Sequence, residues 1–247
     1  MVIKQEFTFP SSDGVHTVAA AWWRPEGPPR GMVQLVHGIS EHIGRYDSFA
    51  RFLAEHGFAV VGHDHLGHGR TARNPSEFGW FADRDGWKHV VKDVRALRER
   101  VGAEYPGLPC FLLGHSMGSF VVRGYLMFWP GTVDGAILSS VVPPLTTIFT
   151  DAIARLTGIP PMVVGPGIRT GLNIKAEIHN QLGSDIVASS VAAIAKYPSP
   201  IVMVDMGTAT SLSLIVGSVY EGCIIMPGLA LELDALSERA AALPAIS

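Results

Sequence analysis

Gly114-His115-Ser116-Met117-Gly118 carries the plainest chemistry in the chain. The apolar run Pro109 to Leu113 before it reads as a short buried strand, and Phe120 to Trp129 after it reads as a helix. A strand that turns into a helix within a few residues forces its central residue into a strained conformation. Glycines on either side leave room for the turn and lift the serine hydroxyl to the tip of the sheet. Ser116 is then a candidate nucleophile for acyl transfer. Such chemistry needs donors for the oxyanion, and Met32 to Val36 is a strand running straight into His37-Gly38-Ile39. The backbone N–H groups of Ile39 and Met117 are the candidate oxyanion donors.

A serine nucleophile also needs a base to take its proton and an acid to orient that base. After Ser116 the only histidine is His179, within the stretch from Ala176 to Gln181, and Asp151 is a candidate acid. His179 does not follow a strand of the kind that presents a triad histidine. A functioning Ser116–Asp151–His179 triad is not expected, and any esterase activity is expected to be impaired. His63, His65 and His68 raise the question of a metal. Metal ligands must converge, however, and no Cys/His cluster accompanies them, so a polar loop punctuated by Gly67 and Gly69 is the preferred reading.

The elements that would position these groups alternate along the chain. Val2 to Pro10 and His16 to Arg24 read as a hairpin about Ser12-Asp13-Gly14. Arg45 to His56 reads as a helix with Phe49, Phe52 and Leu53 inward, ended by Gly57. Phe58 to Gly62 is a strand, and Trp87, Val90, Val91, Val94, Leu97 and Val101 mark an amphipathic helix. Strands alternating with helices imply a mostly parallel sheet with helices on both faces. The 247 residues, 47% hydrophobic and 17% charged, suit a globular α/β chain. A net charge of −3 gives no reason to expect nucleic acid as a partner. Cys110 and Cys223 read as reduced core thiols, in keeping with a cytoplasmic protein. No signal peptide or transmembrane segment is expected.

His37-Gly38-x-x-Glu41-His42, Arg45-Tyr46, Asp64-x-x-Gly67-His68-Gly69 and Gly114-His115-Ser116-Met117-Gly118 together resemble the α/β-hydrolase superfamily. The branch is that of lysophospholipase and monoacylglycerol-lipase-like hydrolases, also labelled serine aminopeptidase S33. The resemblance covers roughly residues 5 to 140. It implies a serine triad acting on a small-molecule ester or acyl-lipid substrate, without a cofactor.

Beyond Asp134 the pattern changes. A strand about Gly135 to Val142 leads to a helix about Thr146 to Thr157, then a strand from Pro161 to Val164. Gly183-Ser184-Asp185 opens a helix to about Tyr197. Ile201 to Asp205 is a buried strand followed by Met206-Gly207-Thr208-Ala209-Thr210, and a last helix carries Leu229 to Leu236 and the closing Leu243-Pro244. These motifs resemble type III pantothenate kinases, of the actin-like ATPase architecture, over roughly residues 135 to 247. The resemblance implies that Gly207 and Thr208 contact ATP, that Asp205 binds a monovalent cation such as K+, and that Gly183 and Asp185 face the substrate, Asp185 as base. From the residues alone, Asp185 reads as a helix N-terminal acid and Gly207-Thr208 as a tight hairpin. The chain departs from that family at Ile186, where an arginine is usual, at Ala176, where a tyrosine is usual, and at Ser213, where an aspartate is usual. The family's first phosphate hairpin has no counterpart. The expected architecture is therefore a partial α/β-hydrolase domain over residues 1–140 joined to a partial kinase-like α/β region over 141–247.

Overall fold

Strand β1 (Ile3–Pro10) pairs antiparallel with β2 (Thr17–Arg24), the hairpin expected about Asp13. The computed structural model describes residues 1–139, 142–164, 168–175 and 182–239. Strands β3 (Gly31–Val36), β4 (Phe58–His63) and β5 (Cys110–Gly114) complete a five-stranded sheet in the order β1-β2-β4-β3-β5. β2 is antiparallel to β4, whereas β3 is parallel to both β4 and β5. The sheet is thus mixed, with its parallel part at the end that carries Ser116.

Side-chain alternation divides the core into two layers. Val18, Ala20 and Trp22 of β2 join one cluster with Met32, Val61, Leu97 and Val101, while Ala21 and Trp23 join the other with Leu35, Ala50 and Ala54. Helix α2 (Gly86–Glu104) buries Val90, Val91, Val94, Leu97 and Val101 as its spacing predicts, but Trp87 at its start stays half exposed. Helix α1 (Asp47–Glu55) starts later than expected, after a 3-10 turn at Ile43–Tyr46. Its core face is Ala50 and Ala54, with Leu53 partly buried, and the expected Phe49 and Phe52 point outward. Ala50 and Ala54 share one cluster with Trp23 and Val60 of the sheet. Helix α3 (Met117–Phe128) follows β5.

Two compact units divide the chain. One comprises Met1–Ala136 and Thr150–Pro161, the other Ile137–Phe149 and Met162–Ser247. Helix α4 (Pro143–Thr157) is shared between them. Strand β6 (Ile137–Ser139), shorter than expected, pairs in parallel with β7 (Met162–Val164), while β5 remains the edge of the five-stranded sheet. The second unit is built on a four-stranded sheet of β8 (Asn173–Ile174), β9 (Ile201–Met206), β10 (Ala209–Val216) and β11 (Val219–Pro227), in the order β8-β11-β10-β9. Its β9-β10-β11 part is antiparallel. Ile201, Ile215 and Tyr220 form its core with Ile186, Ala193 and Ile194 of α5 (Ser184–Lys196). Helix α6 (Leu229–Arg239) ends the described chain, so Leu243 and Pro244 lie outside it, as do His179, Ala176 and part of the strand expected over Gly135 to Val142. No described helix is long and apolar enough to cross a membrane.

Candidate active site

Ser116 sits between β5 and α3 with φ 51° and ψ −119°, a left-handed conformation rare for a residue with a side chain. The flanking glycines are there for want of space. A Cβ on Gly118 would lie 2.0 Å from the Val36 carbonyl oxygen, and one on Gly114 would lie 2.5 Å from the Gly118 oxygen. Both obstacles are backbone atoms and cannot swing aside. Gly118→Ala should therefore destabilise the protein by about 3 kcal/mol, at the upper end of overpacking costs, read as a lowered urea midpoint. A midpoint within error of the parent would show that the turn relaxes freely.

Within the turn, Gly118 N–H donates to the His115 carbonyl at 2.8 Å and Ser119 N–H to the Ser116 carbonyl at 3.0 Å. The Met117 N–H begins α3 and is one of its unpaired amides. The His37–Ile39 loop lies against the turn, since a Cβ on Gly38 would come within 3.2 Å of Ser116 Cβ. Gly38, the residue before Ile39, thus borders Ser116.

Glu41 ties the loop to the elbow. Its Oε1 accepts from Gly38 N–H at 2.5 Å, from the Tyr46 hydroxyl at 2.8 Å and from His115 Nδ1 at 2.7 Å. Burial opposes ionisation of this carboxyl, but the bonds from His115, Gly38 and Tyr46 outweigh it and hold it at about 2. Sequence reasoning gave Glu41, Tyr46 and His115 no role, because the partners lie up to 74 residues apart.

The histidines of the 63–68 loop are buried together with His37. The rings of His37 and His65 lie 4.0 Å apart, those of His63 and His65 5.0 Å and those of His37 and His68 5.3 Å. The nitrogens of His37 and His68 and the Nε2 of His65 face backbone groups, both nitrogens of His63 are without a partner, and among the described residues no cluster could hold a metal ion. Asp64, also buried, accepts from the Ile43 and Arg70 amides at 2.8 Å each, and its carboxylate occupies the space a Cβ on Gly69 would need. A cleft of about 460 Å³ lined by Asp13, His16, Arg73, Glu77, Trp80 and His89 includes none of the elbow residues.

Among the described residues no base is in place. Among the described residues nothing hydrogen-bonds the Ser116 hydroxyl, whose neighbour Ser119 donates to the Ser116 carbonyl instead. Asp151 lies exposed on α4 with no hydrogen bond, and His179 lies outside the described residues.

The Hydrolase_4 family model, described as serine aminopeptidase, S33, matches residues 27–203. The chain belongs to this S33 family. A highly thermostable carboxyl esterase from Bacillus coagulans, solved in complex with glycerol, is 34% identical with a TM-score of 0.51, over 62% of this chain and 51% of that one. A lipase in its open form is 27% identical with a TM-score of 0.50, over 63% and 56%. A type III pantothenate kinase of Listeria monocytogenes is 42% identical over 123 residues, 49% of this chain and 48% of the kinase. The S33 chain spans about half the length of the curated relatives it matches. It joins an S33-like N-terminal part to a pantothenate-kinase-like C-terminal part.

In the kinase-like part, Asp205, Gly207 and Thr208 lie exposed at the β9–β10 hairpin, where Gly207 N–H donates to the Ala209 carbonyl and Gly228 N–H to the Thr208 carbonyl. Asp185 is in the first turn of α5, capped by Gly183, as the helix N-terminal reading expects. No hydrogen bond or ion pair joins Asp185 to Asp205 among the described residues. Cys110 is buried, but Cys223 is only half-buried, against the expectation of two core thiols.

Proposed function

We propose that this chain is a serine hydrolase of the carboxylester and lysophospholipid type whose Ser116 accepts an acyl group but lacks the base for fast turnover. The observation that carries the reading is the strained Ser116 turn with the Gly38 loop packed on it. The Met117 N–H and the Ile39 N–H would receive the oxyanion as Ser116 Oγ bonds the ester carbonyl carbon and the alcohol departs. The substrate class is a small ester or acyl lipid. Incubation with a fluorophosphonate, followed by intact mass, should show one adduct that Ser116→Ala abolishes. Equal labelling of both proteins would end this reading.

The pantothenate kinase likeness supports a second reading, ATP-dependent phosphorylation by the C-terminal part with Asp205 holding K+. The described residues do not fit ATP. They offer one glycine-threonine hairpin, exposed and with no side chain hydrogen-bonded across it. Phosphoryl transfer depends on charge stabilisation around the phosphates, and Ile186 offers none. Calorimetry with ATP and a potassium salt should detect no saturable binding. A micromolar dissociation constant would restore the kinase reading. The free thiols support a cytoplasmic location.

A further inference from the structure

We propose that His37 is a positioning residue for the oxyanion loop, held as its neutral Nδ1–H tautomer so that it aims the Ile39 N–H. This rests on the Ser116 reading above. His65 N–H donates to His37 Nε2 at 3.0 Å. A backbone N–H can only donate, so Nε2 keeps its lone pair. The ring proton is then on Nδ1, which lies 2.7 Å from the Gly38 carbonyl, a group that can only accept. Two backbone groups of fixed role therefore assign the tautomer.

The Gly38 carbonyl and the Ile39 N–H belong to one trans peptide and point opposite ways. Pinning the carbonyl to the buried ring turns the N–H away from it. The peptides on either side are held as well. Gly38 N–H donates to Glu41 Oε1 at 2.5 Å, and the Ile39 carbonyl faces His68 Nε2 at 2.6 Å. Three successive peptides are thus fixed, and among the described residues the Ile39 N–H, like the Ser40 N–H that follows it, has no acceptor. His37 is fully buried, and burial pushes it down to about 4 despite the Gly38 bond, with His63, His65, His68, Asp64 and Glu41 as the charged or titratable neighbours. A ring that stays neutral keeps one tautomer across the working range of pH.

Long-range proton–nitrogen NMR of histidine-labelled protein from pH 5 to 8 tests the tautomer. His37 should show a protonated Nδ1 and a bare Nε2 without titrating, and an Nε2–H tautomer or a midpoint near 6.5 would overturn the proposal. His37→Asn keeps an N–H donor near the Nδ1 position, whereas His37→Leu removes it. The Ile39 amide resonance should move in the Leu variant and stay in the Asn variant. Acylation of Ser116 by p-nitrophenyl acetate, followed by mass, should fall roughly 100-fold in His37→Leu and recover to within about ten-fold of the parent in His37→Asn. A folded Leu variant acylated at the parent rate would refute the positioning role. If the parent acylates no faster than Ser116→Ala, the Ser116 reading fails, and the tautomer and the Ile39 amide still decide for or against His37. The parent and Asn spectra do so even if the Leu variant does not fold.

Discussion

Hydrolysis of p-nitrophenyl butyrate and of monoacylglycerol by this protein should run near background and should change little in Ser116→Ala. The reason is the missing proton acceptor rather than a missing nucleophile. Each histidine near the elbow is committed elsewhere. His115 is bonded to Glu41, and His37, His65 and His68 are bonded to backbone groups beneath the loop. Asp151 makes no hydrogen bond among the described residues, and His179 lies outside them. Loss of the base from a triad costs on the order of a million-fold in turnover, while the oxyanion donors alone preserve roughly a thousand-fold over water. Acylation of Ser116 is slowed by the same missing base, so it is read as slow accumulation of adduct rather than as turnover. The decisive set is the parent, Ser116→Ala and His179→Ala, assayed side by side. Fast turnover lost in both variants would show that His179 reaches Ser116 and that the second part of the chain rebuilds a triad.

The elbow was legible in the sequence because its Gly-x-Ser-x-Gly spacing is local. Gly114 is dictated by backbone atoms of Gly118 and Ser119 in the same turn, whereas Gly118 is dictated by the Val36 and His37 carbonyls at the end of β3. The Val90, Val91, Val94, Leu97 and Val101 stripe was legible for the same reason, since helical spacing alone decides it. What escaped depends on contacts between distant segments. Phe49 and Phe52 have the right spacing for a core face, yet Ala50 and Ala54, with Leu53 partly buried, are the residues of α1 that pack with Trp23, and the two phenylalanines stay exposed. The histidines of the 63–68 loop resembled a ligand set because sequence spacing says nothing of ring direction. His37, at the end of another strand, packs among them and shares backbone bonds with His65. Glu41 carried no signal beyond its place in a motif, because its link to His115 exists only once β3 and β5 lie side by side.

That buried histidine network should make the fold sensitive to mild acid, with stability falling as pH drops from about 6.5 toward 4. Burial pushes His37 down to about 4 and His63 to about 3, and it pushes His65 down as well. An unfolded chain takes up these protons near pH 6.5, the folded chain only well below that. Between the two values the unfolded state binds more protons, so stability rises with pH there and is lost on acidification. At pH 5 the loss is about 2 kcal/mol for each of His37 and His63, which is large against a total of roughly 5–15 kcal/mol. Carboxylates do not produce this window. Asp13, Glu41 and Asp47 are held at about 2 by hydrogen bonds that outweigh their burial, so their contributions persist above pH 4 and are lost only toward pH 2. His63 is the residue to change. Both of its ring nitrogens are buried without a partner among the described residues, and its ring meets the Phe9 edge at 5.8 Å and His65 at 5.0 Å. Phenylalanine would fill the same space, forfeit no hydrogen bond and bury no unpaired nitrogen. His63→Phe should therefore raise the urea midpoint at pH 7.5 and flatten its decline to pH 5 by about 2 kcal/mol. Parent and variant midpoints that fall in parallel between pH 7.5 and pH 5 would show that His63 already carries its proton in the folded state, and the account of the buried network would have to be abandoned.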